Sequence, residues 1–216
     1  MKNKIYLAAG MMFFSSLSGA CTLTLPDATL LPFNTQFALS QTVYDAIQAD
    51  SSIATAIENA RDEWDKTDAA DRIGGSSGVI NSSDCPAGQP RQIGAMAHFV
   101  RVPGACPTLA LRGVPQTAAA FVDHGGTGSI TLNLSYAWST NAGAGVLDIQ
   151  NYFTHEFGHV LGLDHQYGTT CGNDPNPPTC ATVPGHNTMN RLIVAQETCA
   201  QTLNINDINS ANDFYP

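Results

Sequence analysis

The stretch His155-Glu156-Phe157-Gly158-His159-Val160-Leu161-Gly162-Leu163-Asp164-His165 constrains this chain more than any other, and it holds three of the six histidines. On a helix, His155 and His159 stand one turn apart on the same face. Both imidazoles can therefore reach one ion at about 2.0–2.1 Å, the usual zinc–nitrogen distance. Glu156, the next residue along, flanks that ion and can hold and deprotonate a water bound to it. Continuing the helix would carry His165 too far along the axis to share the ion. Gly162 resolves this, because glycine takes the positive φ that ends a helix and turns the chain sharply. Three histidines and a water leave zinc an open position, whereas structural zinc uses four protein ligands rich in cysteine. No C-x-x-C pair occurs here. The alternative is a helix that carries its histidines incidentally.

The start of the chain reads as an export signal over residues 1–20. Lys2 and Lys4 form a positive head, IYLAAGMMFF an apolar stretch, and Ser18-Gly19-Ala20 a small-x-small cleavage site before Cys21. The apolar stretch is too short to span a bilayer core of about 30 Å, and no later segment is apolar enough. A secreted or periplasmic protein is therefore expected, with residues 21–216 as one domain. Lipid attachment at Cys21 is the less favoured alternative, since Ser18 stands where a lipoprotein signal has leucine. The six cysteines (Cys21, Cys85, Cys106, Cys171, Cys180 and Cys199) form an even set that could close three disulfides in an oxidising compartment. Fifteen pairings are possible, and Cys171 with Cys180, flanking a Pro-rich loop, is the first choice. Losing Lys2 and Lys4 takes the formal charge from −9 to −11, seven basic residues against eighteen acidic. Such a surface disfavours nucleic acid and anionic membranes as partners.

The rest of the pattern predicts an α+β domain. A strand is weakly signalled within 21–50. Ile53, Ala56, Ile57, Ala60 and Trp64 recur at helical spacing, with an N-cap in Asp50-Ser51-Ser52 and Trp64 facing a core. Residues 72–90 read as a Gly/Ser/Asn-rich loop flanked by weak strands. QIGAMAHFVRV and TAAAFV read as strands, HGGTGS as a turn, and ITLNLSYAW as a strand of period two. Asp148 is a candidate N-cap for the histidine helix. Ile205, Ile208, Ala211 and Tyr215 mark a closing helix. His98, His124 and His186 read as strand-end, turn and loop residues, each an outside candidate for a second metal.

With its glycine and third histidine, the motif resembles that of the metzincin metallopeptidases, and HNTMN, with Met189, resembles their methionine turn. The chain is most similar to matrixins, especially small bacterial ones, in its first helix ending near Trp64, ITLNLSYAW, the histidine helix, and NINDINSANDFYP with its Asp and Tyr. Gln166 departs from the serine usual in matrixins. Thr131 stands near where vertebrate members carry a histidine for structural zinc, so no second zinc is expected. No cysteine-switch motif is visible. Arg191 stands where astacin- and serralysin-type members carry a tyrosine ligand.

The resemblance implies a metzincin-type catalytic domain: a twisted, mostly parallel β-sheet with an antiparallel edge strand, three main helices and a methionine turn. It implies an exported zinc endopeptidase in which Glu156 activates the zinc-bound water and His155, His159 and His165 are ligands. Met189 would form a hydrophobic floor, and an extended protein or peptide substrate would pair with the edge strand TAAAFV. One catalytic Zn2+ is expected, with Ca2+ near DHGGTGS by analogy alone, and a monomer. A non-catalytic exported binding protein of the same fold, or a zinc hydrolase of another amide such as peptidoglycan, are the alternatives.

Overall fold

Phe37 and Leu39 alternate along Thr35–Ser40 (β1), both point into the core, and this strand sits inside the main sheet. The structure, a computed structural model, describes residues 24, 28, 30–80, 95–99, 119–123, 129–132, 136–141, 143–165, 187–190 and 198–215. After β1 come helices α1 (Gln41–Ala49) and α2 (Ser52–Trp64), then β2 (Ile73–Ile80), β3 (Ala95–Phe99), β4 (Ala120–Asp123) and β5 (Ser129–Leu132). Short strands β6 (Ala137–Ser139) and β7 (Val146–Asp148) lead into α3 (Ile149–Val160). A 3-10 turn at Cys199–Gln201 precedes α4 (Ile205–Phe214). The α+β class is as expected.

The five-stranded sheet has the order β2-β1-β3-β5-β4. Its strand directions correct the expectation of a mostly parallel sheet. Only β1 and β2 pair in parallel, while β1–β3, β3–β5 and β5–β4 are all antiparallel. Parallel neighbours need a long crossover, usually helical, and antiparallel neighbours need only a short link. Among the described residues, helices separate two strands of this sheet only between β1 and β2, where α1 and α2 lie. The edge strand β4, which overlaps the second half of TAAAFV and continues to Asp123, is antiparallel as expected.

Three other local readings are revised. Four helices are described where three were expected. The addition, α1, is short and buries Val43. The Gly/Ser/Asn-rich stretch 72–90, expected as a loop flanked by weak strands, gives its first eight-residue run to β2, whose Gly74 lies close against Asn34. ITLNLSYAW is not one strand. Its start is β5 of the main sheet, and its end is β6, which pairs in parallel with β7 in a separate two-stranded sheet. Alternation of apolar residues marks extended chain but cannot say which sheet each part joins.

Helix α2 begins where expected, although Ser51 makes no side-chain cap. Asp50 does it instead, its Oδ1 accepting from Ser52 N at 3.0 Å and Ser52 Oγ at 2.7 Å. At its other end Trp64 is buried, and its indole N–H donates to the Thr154 carbonyl at 2.8 Å, locking α2 against α3. Phe153, Phe157, Leu161 and Leu163 complete the core around α3. Each such side chain contributes about 1.5–3 kcal/mol relative to exposure. In α4, Ala211 and Tyr215 are buried as their spacing suggests, but Ile205 is 65 % exposed and Asp207 takes the inward place. No helix among the described residues is long and apolar enough to cross a membrane.

Candidate metal centre

Helix α3 starts at Asp148, whose carboxylate accepts from Asn151 N at 2.8 Å, the expected N-cap. From Asn151 to Val160 every residue is buried, including Asn151, Thr154, His155, Glu156 and His159. A helix with no solvated face cannot carry polar residues incidentally, because each buried polar group needs a partner. The helix ends as the sequence predicts. Gly162 has φ +97°, its N–H donates to the His159 carbonyl at 2.9 Å, and Leu163 N donates to Gly158 O at 3.0 Å. These are the paired bonds of a Schellman turn with glycine in the left-handed position.

The turn brings His165 back to the helix. The three imidazoles converge: ring centroids are 4.7 Å apart for His155–His159, 5.2 Å for His155–His165 and 4.6 Å for His159–His165. One ligand atom from each lies within 4.8 Å of the others, close enough for one metal ion. Backbone carbonyls set the ring orientations. His155 Nδ1 is 2.7 Å from Thr188 O, and His159 Nδ1 is 2.8 Å from Leu163 O. A carbonyl only accepts, so each Nδ1 carries the proton and Nε2 becomes the ligand nitrogen.

His159 Nε2 and His165 Nε2 stand 3.2 Å apart. Two nitrogens bound tetrahedrally at about 2.05 Å from one ion are about 3.3 Å apart, so the observed spacing fits a shared ion. Burial lowers the pKa of His159, with Leu163 O and Asp164 acting in the opposite direction. The lowered value favours the neutral ring that binds metal.

Glu156 is buried, and its Oε2 atom has no hydrogen-bond partner among the described residues. Burial alone pushes its carboxyl up to about 8 from an ordinary 4.5. Glu156 follows His155 directly in α3, and a buried carboxyl oxygen without a donor is able to take up a proton or a ligand. For the metal-free protein the sign follows from the raised value. The folded state binds the proton more tightly than the unfolded chain, so stability falls as pH rises from about 4.5 towards about 8. Thermal melts of chelator-treated protein across this range check it, and Glu156→Gln should flatten the slope.

Asn187–Asn190, inside HNTMN, forms a tight turn closed by Asn190 N donating to Asn187 O at 3.1 Å. Met189 is fully buried against the backbone of Gly158, which lies between His155 and His159 in α3. A Cβ at Gly158 would stand 2.7 Å from Trp64 Cζ2 and closer still to the Met189 sulfur. Gly158 is thus a packing requirement that the spacing argument did not single out. Asp207 was also not assigned a role. Its carboxylate accepts from Thr188 N (2.8 Å), Met189 N (3.2 Å) and Asn204 N (3.0 Å), and so holds the turn that presents Thr188 O to His155. Burial raises the Asp207 pKa, with these N–H groups pulling it down. The early signal was the resemblance of NINDINSANDFYP, with its Asp and Tyr, to the final helix of matrixins, which gave no partner for the aspartate.

Of the other candidates, His98 lies in β3, and His124 and His186 lie outside the described residues, as do Arg191, Gln166 and all but the ends of DHGGTGS. Cys21 and the Cys171–Cys180 pair also lie outside them, while Cys199 is disulfide-bonded. Comparisons with protein-family models, with curated proteins and with solved structures returned no match.

Proposed function

We propose that the chain is an exported zinc-dependent endopeptidase with a metzincin-type catalytic domain, most like a bacterial matrixin. The observation that carries this reading is the convergence of His155, His159 and His165 around one point, with buried Glu156, the residue after His155, holding an oxygen that has no partner among the described residues. Three histidine nitrogens, with Nδ1 of His155 and His159 held by carbonyls, suit zinc better than the oxygen-seeking calcium or magnesium. A zinc ion held there would supply Lewis acidity towards a scissile carbonyl and make water more acidic.

The protein's own residues do the rest. Leu163 O and Thr188 O orient the ligand rings. Glu156 takes the proton of the attacking water on a carboxylate oxygen and passes it to the leaving amine. The edge strand β4 can align an extended substrate by main-chain hydrogen bonds. The Cys199 disulfide supports an oxidising compartment and hence export.

Metal analysis of the purified protein should return about one zinc per chain. Casein or gelatin cleavage should vanish on chelation and return with added zinc. Absence of zinc would sink the site, and cleavage of peptidoglycan in place of protein would move the substrate class to another amide.

A further inference from the structure

We propose that Tyr215 and Phe214, at the end of α4, are positioning residues for the third histidine, fixing the turn at Leu161–Leu163 from which His165 reaches the other two. This rests on the metal reading above and deepens it.

The three residues of the turn are each held from outside. The Leu161 carbonyl is among those that a helix end leaves without an intrahelical donor. Tyr215 Oη donates to it at 2.7 Å and accepts from Leu31 N at 3.1 Å. Leu161 and Tyr215 are both buried, so water is a poor substitute donor. Gly162 presents its bare Cα to the Phe214 ring, where an added Cβ would stand 2.9 Å from Cε1. Leu163 bridges Thr24, and its carbonyl is the one that orients His159. The Phe214 and Tyr215 rings meet edge-on at 5.1 Å, and the Arg72 guanidinium lies 5.1 Å from the Tyr215 ring centre. α4 and its flank therefore act as a template for the turn.

His165 depends on that template most. It lies beyond α3, and its side chain is 30 % exposed, whereas His155 and His159 are buried on the helix. Loosening the turn should leave His155 in place, slacken the hold of Leu163 O on the His159 ring and let His165 drift most, which weakens metal binding and changes the coordination number.

The test compares wild type, Tyr215→Phe, Phe214→Leu and Ile57→Val, the last a core trim on α2 away from the turn. Zinc affinity is read by competition with a chromophoric chelator, and coordination by the visible spectrum of the cobalt(II)-loaded protein. Tyr215→Phe and Phe214→Leu should each bind zinc roughly ten-fold more weakly, with a weakened tetrahedral cobalt band, while Ile57→Val keeps wild-type values. Wild-type affinity in Tyr215→Phe and Phe214→Leu overturns the proposal, and so does an equal loss in Ile57→Val. Phe214→Leu, which keeps an apolar side chain, carries the test if Tyr215→Phe does not fold. Failure of the metal reading itself has a different signature, no zinc in any of the four chains.

Discussion

Glu156→Ala should lose roughly 10²–10⁴-fold in peptide hydrolysis while still binding about one zinc per chain. The loss is expected because the carboxyl is buried in the residue next to His155, with an oxygen that no donor among the described residues satisfies. A group placed so is destabilising unless it serves a ligand. The same reasoning limits the structural damage. Removing the carboxyl relieves a desolvated acid but leaves a small cavity, and these oppose each other. The melting temperature of the metal-free variant should therefore change little at pH 7. Zinc content, melting curves and casein cleavage of the two proteins check all three parts. Cleavage equal to wild type would remove Glu156 from the chemistry. Loss of zinc together with activity would make it a ligand and not a base.

Replacing Asp207 with alanine is expected to be the most damaging change to stability outside the apolar core. It leaves the N–H groups of Thr188, Met189 and Asn204 without their acceptor in a buried place. With partial relaxation, three such donors cost about 4 kcal/mol. The effect should extend to the metal. Thr188 O orients the His155 ring, so a loosened turn should weaken zinc binding by roughly 10–100-fold. Chemical denaturation and chelator competition measure the two effects separately. If stability falls and zinc affinity holds, the Thr188 carbonyl keeps its place without Asp207, and the link from α4 to His155 is wrong.

The helical part of the site was legible because its physics is local. Four-residue spacing puts His155 and His159 on one face, and the cap at Asp148 and the stop at Gly162 depend on residues within one turn. Trp64 was legible for the same reason, as one position in a periodic apolar stripe. The strands were harder to read. Period-two alternation located β5 and β6 but could not separate them into two sheets or give β3 its direction, because pairing is chosen by distant neighbours. α1 was missed although Val43 and Ile47 stand at helical spacing; a nine-residue helix is marginal alone, and the core that those two side chains meet holds it in place.

By itself, then, the sequence determined the donor residues of the candidate metal centre and the turn that returns the third of them. Those are properties of residue type and of spacing along one helix. The tertiary structure alone decided what holds the donors in register. Thr188 reaches His155, Asp207 reaches the turn around Met189, and Tyr215 reaches Leu161 across long stretches of chain. Buried polar groups must find partners wherever packing brings them. Packing, unlike helical spacing, is settled by the whole chain at once.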